Sequence, residues 1–349
     1  MEIETAKGFP FLWFLNDGCT EKGVAEKGET EKGETKRVRR KGFAVFLANH
    51  IKDARAAENL TIATMTLHET NHPWRGRFAK TLIAVGGSAK VYRAKRNEDD
   101  VILKITKNAR IFLDEYCTLR KLEGGAHLPP LVEAFYGRDV FTLVFAHLPG
   151  FIDCFTYLDS RDPLTEDETR FVMGQIRDAF YFMISRAGIY HSDLVAENVL
   201  IHPEIKRIRL IDFGNVCPYS TSKIVIDPER NQRIMDEKTV YRYIDQLGIL
   251  HTRTPELISE GRTFDDAHIS FSFGTLATFL HLGDRPFETY QDRQQYQLCC
   301  EFNARSAFHL FLQGTIKKDP MMRTDWRFWV NDPYYHPQPP IEIGGDVSD

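Results

Sequence analysis

The chain has 349 residues, 42% of them hydrophobic and 27% charged, with a formal net charge of −4. That length supports one large domain or two smaller ones, and the composition is that of a soluble globular protein. The balance of charge excludes an overall basic field for nucleic acid, no run reaches the ~20 apolar residues of a membrane helix, and the six cysteines show neither a C-x-x-C pair nor zinc-ligand spacing. Reduced thiols in an intracellular, cytoplasmic protein are the expectation.

At the N-terminus Phe9–Leu15 (FPFLWFL) is short and follows two glutamates instead of a basic region, so it reads as a docking patch and not as a signal peptide. Residues 20–41 repeat an EKGET unit with almost no apolar residues, a composition that cannot offset its ordering entropy and predicts disorder. The basic cluster Lys36–Lys41 reads as a solvated charge run, with nuclear import as the alternative. Residues 42–72 are ambiguous between an irregular extension and a small extra element.

Folded structure is expected from about Trp74. Phe78–Val85, Val91–Lys95, Val101–Ile105, Leu131–Tyr136 and Val140–Phe145 read as strands. Residues 109–123 read as a helix with Ile111, Leu119 and Leu122 inward. This is a five-stranded, antiparallel-looking sheet with one helix. Beyond Pro149-Gly150 the pattern turns helical. Thr165-Glu166-Asp167-Glu168 has capping-box form and Gly188 stands at a C-terminal cap position. Further helices are predicted over 268–282 and about 295–316. A β-rich lobe followed by an α-rich lobe predicts a cleft at their junction, where small-molecule sites form.

The chemistry sits in His191-Ser192-Asp193-Leu194-Val195-Ala196-Glu197-Asn198-Val199-Leu200, followed by Arg209-Leu210-Ile211-Asp212-Phe213-Gly214. Asn198 and Asp212 offer the hard oxygen ligands magnesium prefers. Asp193 is then placed to accept a proton from an attacking hydroxyl. This stretch resembles the protein-kinase catalytic loop H-R-D-L-x-x-x-N and the D-F-G turn at near-standard spacing. The resemblance implies a bilobal α+β fold with ATP and Mg2+ as cofactors. It implies Asp193 as catalytic base, Asn198 and Asp212 as metal ligands, and His191, Phe213 and Gly214 as structural residues of the loops.

Upstream, Lys104 in V-I-L-K is similar to the family's phosphate-binding lysine, and Glu115 to its helix partner, with Asp114 the neighbouring candidate. Ala84-Val85-Gly86-Gly87-Ser88-Ala89-Lys90-Val91 resembles the glycine loop with only its middle glycine kept. The resemblance puts the backbone of Ala146 and Leu148 against adenine, with Val91 and Leu200 as its apolar sandwich and Phe145 at the back. Downstream, Thr254-Pro255-Glu256, Gly283-Asp284-Arg285-Pro286-Phe287 and Asp319-Pro320 with Arg323 resemble motifs of the helical lobe, and Glu256 with Arg323 is expected as a buried ion pair. The domain plan implied is an extension over 1–75, a kinase domain over 76–335 (small lobe about 76–147, large lobe about 148–335) and a flexible tail over 336–349.

Two departures lie inside the catalytic stretch. Ser192 replaces the arginine that gathers an activation-segment phosphate, which argues against activation by simple loop phosphorylation. Val195 replaces the cation that touches the transferring phosphate, a loss worth on the order of 3 kcal/mol. Ser220, Thr221, Ser222, Thr239 and Tyr241 are ordinary exposed hydroxyls as readily as phosphosites, and Ile249 or Thr252 stands where a threonine contacts the base. The leading expectation is an active kinase acting on protein serine or threonine; the alternative is a pseudokinase scaffold that binds nucleotide. Small-molecule phosphotransferases of the aminoglycoside or choline kinase type share a similar loop, but Thr254-Pro255-Glu256 and Asp319–Arg323 argue against them. ATP and a protein substrate are the expected partners, with no nucleic acid and no membrane span.

Overall fold

A computed structural model of the chain describes residues 68–69, 80–87, 89–96, 98–136, 140–219, 224–225, 254–256, 262–263 and 265–329. The repeat at 20–41, the basic cluster, the hydroxyls at 220–222, 239 and 241, the positions 249 and 252, and the tail 336–349 lie outside these. The chain divides into two compact units, one of residues up to Leu113 with Ala134–Val144, the other of Asp114–Glu133 with Phe145 onward. The 114–133 stretch goes with the second unit for local reasons: Leu210 N–H donates to His127 O at 2.9 Å, and Gly125 lies so close to Phe182 that a Cβ there would stand 2.8 Å from its ring.

The first unit is built on a sheet whose strands are β1 (His68–Glu69), β2 (Lys80–Val85), β3 (Ala89–Arg96), β4 (Asp99–Thr106), β5 (Leu131–Tyr136) and β6 (Phe141–Ala146), in the order β1-β5-β6-β4-β3-β2. β2, β3 and β4 form an antiparallel meander. Side chains alternate along a strand, so Val101 and Leu103 enter a core with Ala94 and Val144, while Lys104 points from the other face of β4. The expected five strands become six, because His68–Glu69 pairs in parallel with Phe135–Tyr136. A two-residue strand is too short to leave an alternation in the sequence. Helix α1 (Ala109–Lys121) follows β4. Asn108 Oδ1 caps it, accepting from Arg110 and Ile111 N–H at 3.0 and 3.2 Å.

The second unit is mostly helical. β7 (Ile152–Asp153) leads into α2 (Cys154–Asp159), and α3 (Glu166–Ala187) begins at the Thr165/Glu168 capping box and ends at Gly188, which is left-handed with φ 60°. β8 (Ile189–His191) follows, then a 3₁₀ turn over Ala196–Asn198 and strands β9 (Val199–Ile201), β10 (Ile208–Leu210) and β11 (Val216–Pro218). Two further short strands, β12 (Ile224–Val225) and β13 (Arg262–Thr263), pair with each other.

α4 (Asp265–Leu282) is apolar all round and buried, with Ile269, Phe271, Phe273, Ala277 and Leu280 all at 0% exposure; a helix hydrophobic on every face belongs in a core. Gly274 lets this helix approach the next closely, since a Cβ there would stand 1.9 Å from Thr315 Oγ1. The single helix expected over 295–316 is two, α5 (Tyr290–Gln295) and α6 (Ala307–Thr315). Tyr296 at φ 58° closes the first, and Ser306 caps the second.

Candidate active site

Two antiparallel pairings set the site. β8 pairs with β11, matching His191 to Val216, and β9 pairs with β10, matching Leu200 to Arg209. Each strand pair ends where a loop begins, so the 192–198 loop and the 211–215 loop leave the two pairings side by side.

His191 joins them. It is 1% exposed, and its Nδ1 accepts from Asp193 N–H at 3.3 Å while Nε2 stands 3.0 Å from Ile211 O. An Nδ1 that accepts leaves the proton on Nε2, which therefore donates to the carbonyl; this is the neutral imidazole. The same ring meets Phe213 edge-on at 5.2 Å, and Phe213 is fully buried. Asn198 is the second tie. Its Nδ2 donates to Asp193 O at 2.9 Å and lies 3.4 Å from Asp193 Oδ2, and its own carbonyl accepts from Ile211 N–H at 2.9 Å. The third tie was invisible in the sequence. Ser192 Oγ and Ser192 N–H both donate to Asn215 O, at 2.9 and 3.0 Å. The partner is a backbone carbonyl, so no side-chain identity announces it.

Asp212 is one of three described non-glycine residues with positive φ, at 61°. Its Oδ1 accepts from Gly214 N–H at 3.3 Å. Aspartate tolerates this region better than most residues, yet the conformation costs of order 1–3 kcal/mol and persists only where surrounding contacts impose it. Here the contacts are the His191 and Asn198 bonds to Ile211, directly before it. His191, Asp193, Asn198, Asp212, Phe213 and Gly214 are thus brought together in one hydrogen-bonded assembly.

The remaining sequence-derived residues are placed as follows. Lys104 lies opposite Val91 in the β3/β4 register. Gly86 N–H donates to Ala89 O at 2.9 Å, closing the β2–β3 turn. A Cβ at Gly87 would meet nothing within 4 Å, so packing within the chain does not require a glycine there. Glu115 is 2% exposed on α1, and Asp114 beside it is half-buried. Ala146 N–H donates to Pro130 O at 3.0 Å, and Leu148 O accepts from Phe151 N–H at 3.3 Å. Leu200 is half-buried on β9. Glu256 and Arg323 meet in a buried ion pair with two bonds, at 2.7 and 2.8 Å.

A shallow, open pocket adjoins the catalytic loop, lined by Leu194, Val195 and Glu197 together with Phe279, Arg285 and Arg293. The sequence marked Arg285 only as part of a turn motif and did not single out Arg293.

A family model for the protein kinase domain matches residues 76–335. Serine/threonine-protein kinase 36 of Mus musculus is 27% identical over 188 residues, covering 52% of this chain and 13% of that protein. Serine/threonine-protein kinase fused of Drosophila melanogaster is 23% identical over 269 residues, covering 73% of this chain and 31% of the relative. The phosphorylase b kinase gamma catalytic chain, liver/testis isoform, of Homo sapiens is 34% identical over 99 residues, covering 28% of this chain and 24% of the relative. The chain thus spans less than a third of the length of these relatives. With the matched span taking in strands β2 to β13, the two loops and the Glu256–Arg323 pair, the chain belongs to the protein kinase domain family.

Proposed function

We propose that the chain is an active kinase that transfers the γ-phosphoryl group of ATP to serine or threonine hydroxyls of a protein, with magnesium as its cation. The observation that carries this is the Asn198 bridge. Because Nδ2 must be the atom that donates to Asp193 O, the amide has one orientation, and Oδ1 is the oxygen left for a cation. The bond from Ile211 N–H to the backbone carbonyl of Asn198 ties this residue to the segment bearing Asp212. No cluster of three or more His, Cys, Asp or Glu among the described residues is arranged to hold a metal. An asparagine oxygen with one carboxylate fits magnesium, which takes one or two protein ligands and completes its shell with water and phosphate.

Magnesium-bound ATP supplies the phosphoryl group and the counter-charge for its oxygens. Asp193, held by its own backbone bonds to His191 and Asn198, accepts the proton of the attacking hydroxyl. Lys104 neutralises the phosphates. At the adenine side Ala146 offers its carbonyl, since its N–H is engaged by Pro130, and Leu200 supplies apolar contact. The serine/threonine assignment is supported by the relatives from Mus musculus and Drosophila melanogaster, both serine/threonine-protein kinases by name. An intracellular, cytoplasmic setting goes with an ATP-dependent reaction and with the five free cysteines among the described residues. No helix among those residues is long and apolar enough to cross a membrane.

The test is magnesium-dependent ATP turnover on a generic protein substrate, comparing the wild type with Asp193→Asn. Loss of the base should lower turnover by ~10²–10⁴-fold. Equal, near-zero turnover from both refutes the proposal. Val195 favours a second reading, a nucleotide-binding scaffold, because it puts no cation beside Asp193. Magnesium-dependent ATP binding without transfer selects it.

A further inference from the structure

Arg207 and Arg209, at the start of β10, are two neighbouring cations that no carboxylate answers. β10 pairs with β9, and the ladder runs on to Arg207, whose carbonyl accepts from His202 N–H at 2.8 Å. Between the two arginines Ile208 is 0% exposed. Side chains alternate along a strand, so both arginines project on the side away from Ile208. Arg207 is exposed and Arg209 half-buried. Arg209 Nη1 donates to Ile208 O at 2.9 Å, and its guanidinium stands 5.8 Å from the ring of Phe151. Neither arginine has an ion pair among the described residues. His127 completes the group. Its carbonyl accepts from Leu210 N–H at 2.9 Å, its ring lies against Ile208 O, and its Nδ1 is buried without a hydrogen-bond partner. A guanidinium and an imidazole thus converge on one carbonyl oxygen, which carries only a partial charge. Burial, and then the positive charge of Arg207, lower the pKa of Arg209. Burial first, then Arg209, lower that of His127, against an opposing pull from Asp178. Asp178 is itself bonded to Arg177, at 2.7 and 3.0 Å. Asp153, in the same row across β9, is taken by Thr156 N–H and Oγ1 at 2.8 and 2.7 Å.

We propose that Arg207 and Arg209, beside His127, bind a phosphate group, either free or on a phosphorylated serine of a peptide. The guanidinium fork matches phosphate oxygens two at a time. Arg209 is already held by Ile208 O and the Phe151 ring, so little ordering is left to offset on binding. Two cations side by side repel, and a dianion between them turns that repulsion into attraction for both. A membrane surface is the poorer fit, since segments that bind anionic lipid carry about four to eight lysines or arginines and this face offers two. The site is separate from the Asp193 loop and does not depend on phosphoryl transfer.

The test uses a fluorescein-labelled peptide on a neutral scaffold around one phosphoserine, with the serine peptide as control, and reads anisotropy with the full chain in the absence of ATP. The phosphoserine peptide should bind about tenfold tighter or more, the scale of one hydrogen bond to a charged group. The preference should vanish in Arg207→Gln/Arg209→Gln and weaken in Arg209→Lys, which keeps the charge and loses the fork. Arg207→Glu changes only an exposed position and should abolish the preference by itself, with thermal melts reporting the fold of every variant. Inorganic phosphate that displaces the peptide supports the phosphate alone as ligand; a peptide that resists millimolar phosphate supports phosphoserine as its source. Equal binding of the two peptides, a phosphoserine preference that survives Arg207→Glu, or binding to phosphatidylserine vesicles with no phosphoserine preference overturns the site.

Discussion

Removing the carboxylate of Glu256 has a cost that follows from the geometry around Arg323. The guanidinium donates twice to Glu256, at 2.8 and 2.7 Å, and also to Ala267 O at 3.0 Å, Lys317 O at 2.7 Å and Lys318 O at 3.2 Å. It stands 4.8 Å over the ring of Phe271. The side chains are 1% and 7% exposed. Glu256→Ala leaves the cation buried among carbonyls and a ring with no counter-charge from that partner. Breaking a buried pair from one side costs ~3–5 kcal/mol. At ~2–4 °C per kcal/mol for a domain of this size, the melting temperature should fall by ~6–20 °C. Glu256→Gln keeps the shape and loses the charge, and should cost ~1.5–3 kcal/mol. The double variant Glu256→Leu/Arg323→Met removes both desolvation penalties, and should melt above either single truncation. Thermal unfolding followed by near-UV circular dichroism reads all of these. A Glu256→Ala protein melting within ~2 °C of wild type refutes the account, and so does a double variant whose loss equals the sum of the two single ones.

Two other outcomes follow from single side chains. His309 accepts from Asn303 N–H at 2.9 Å through Nδ1 and faces His281 Nε2 at 3.2 Å; burial first, and then His281, hold its pKa below the usual 6.5 against an opposing pull from Glu166. The unfolded chain therefore binds the proton more readily. The stability this group contributes is full above about pH 6.5 and is lost as pH falls toward its folded value. Urea unfolding midpoints between pH 7.5 and 5 should decline, and His309→Gln should flatten that decline; parallel curves would count against it. Ser192→Ala should cost under ~1 kcal/mol, since the Ser192 N–H still satisfies Asn215 O. Ser192→Arg should destabilise by ~3 kcal/mol or more, because Ser192 is 4% exposed and a cation does not fit there unpaired. Chemical denaturation of the two variants checks both, and a neutral Ser192→Arg would sink the argument.

Much of the architecture was legible because its signals are local. The Thr165–Glu168 capping box and Gly188 bound α3 as the sequence implies, and the strand over Leu131–Tyr136 matches its apolar pattern. What stayed hidden depends on partners far away in the chain. His68–Glu69 is a strand only because Phe135–Tyr136 lies beside it. The stretch between α5 and α6 breaks because Tyr296 turns left-handed, which an apolar count does not register. In the site, the identities of Asp193, Asn198 and Asp212 could be read from motif and spacing. Their positioning could not, because its ties end on backbone, among them Ile211 O, Ile211 N–H, Asp193 O and Asn215 O. Backbone groups are present at every position, so composition carries no trace of which ones are used.

Those ties also give the Ser192 and Val195 departures a physical meaning. Where an arginine before the catalytic aspartate would need an anion to settle it, Ser192 needs only the Asn215 carbonyl, already within its own unit. Neutral His191 likewise bonds to Ile211 without a charge, and Asn198 bonds Asp193 and Ile211 with an amide and a carbonyl. Short-range hydrogen bonds of this kind are little affected by salt, whereas attraction between exposed ions is screened over about 8–10 Å. The loop geometry is therefore set by the fold of the 191–216 stretch itself, and a phosphate added elsewhere has no arginine at position 192 through which to act. Glu197, Arg285 and Arg293 line the pocket that adjoins this loop, and two of those three residues lie outside the catalytic motif, on the turn after α4 and in α5.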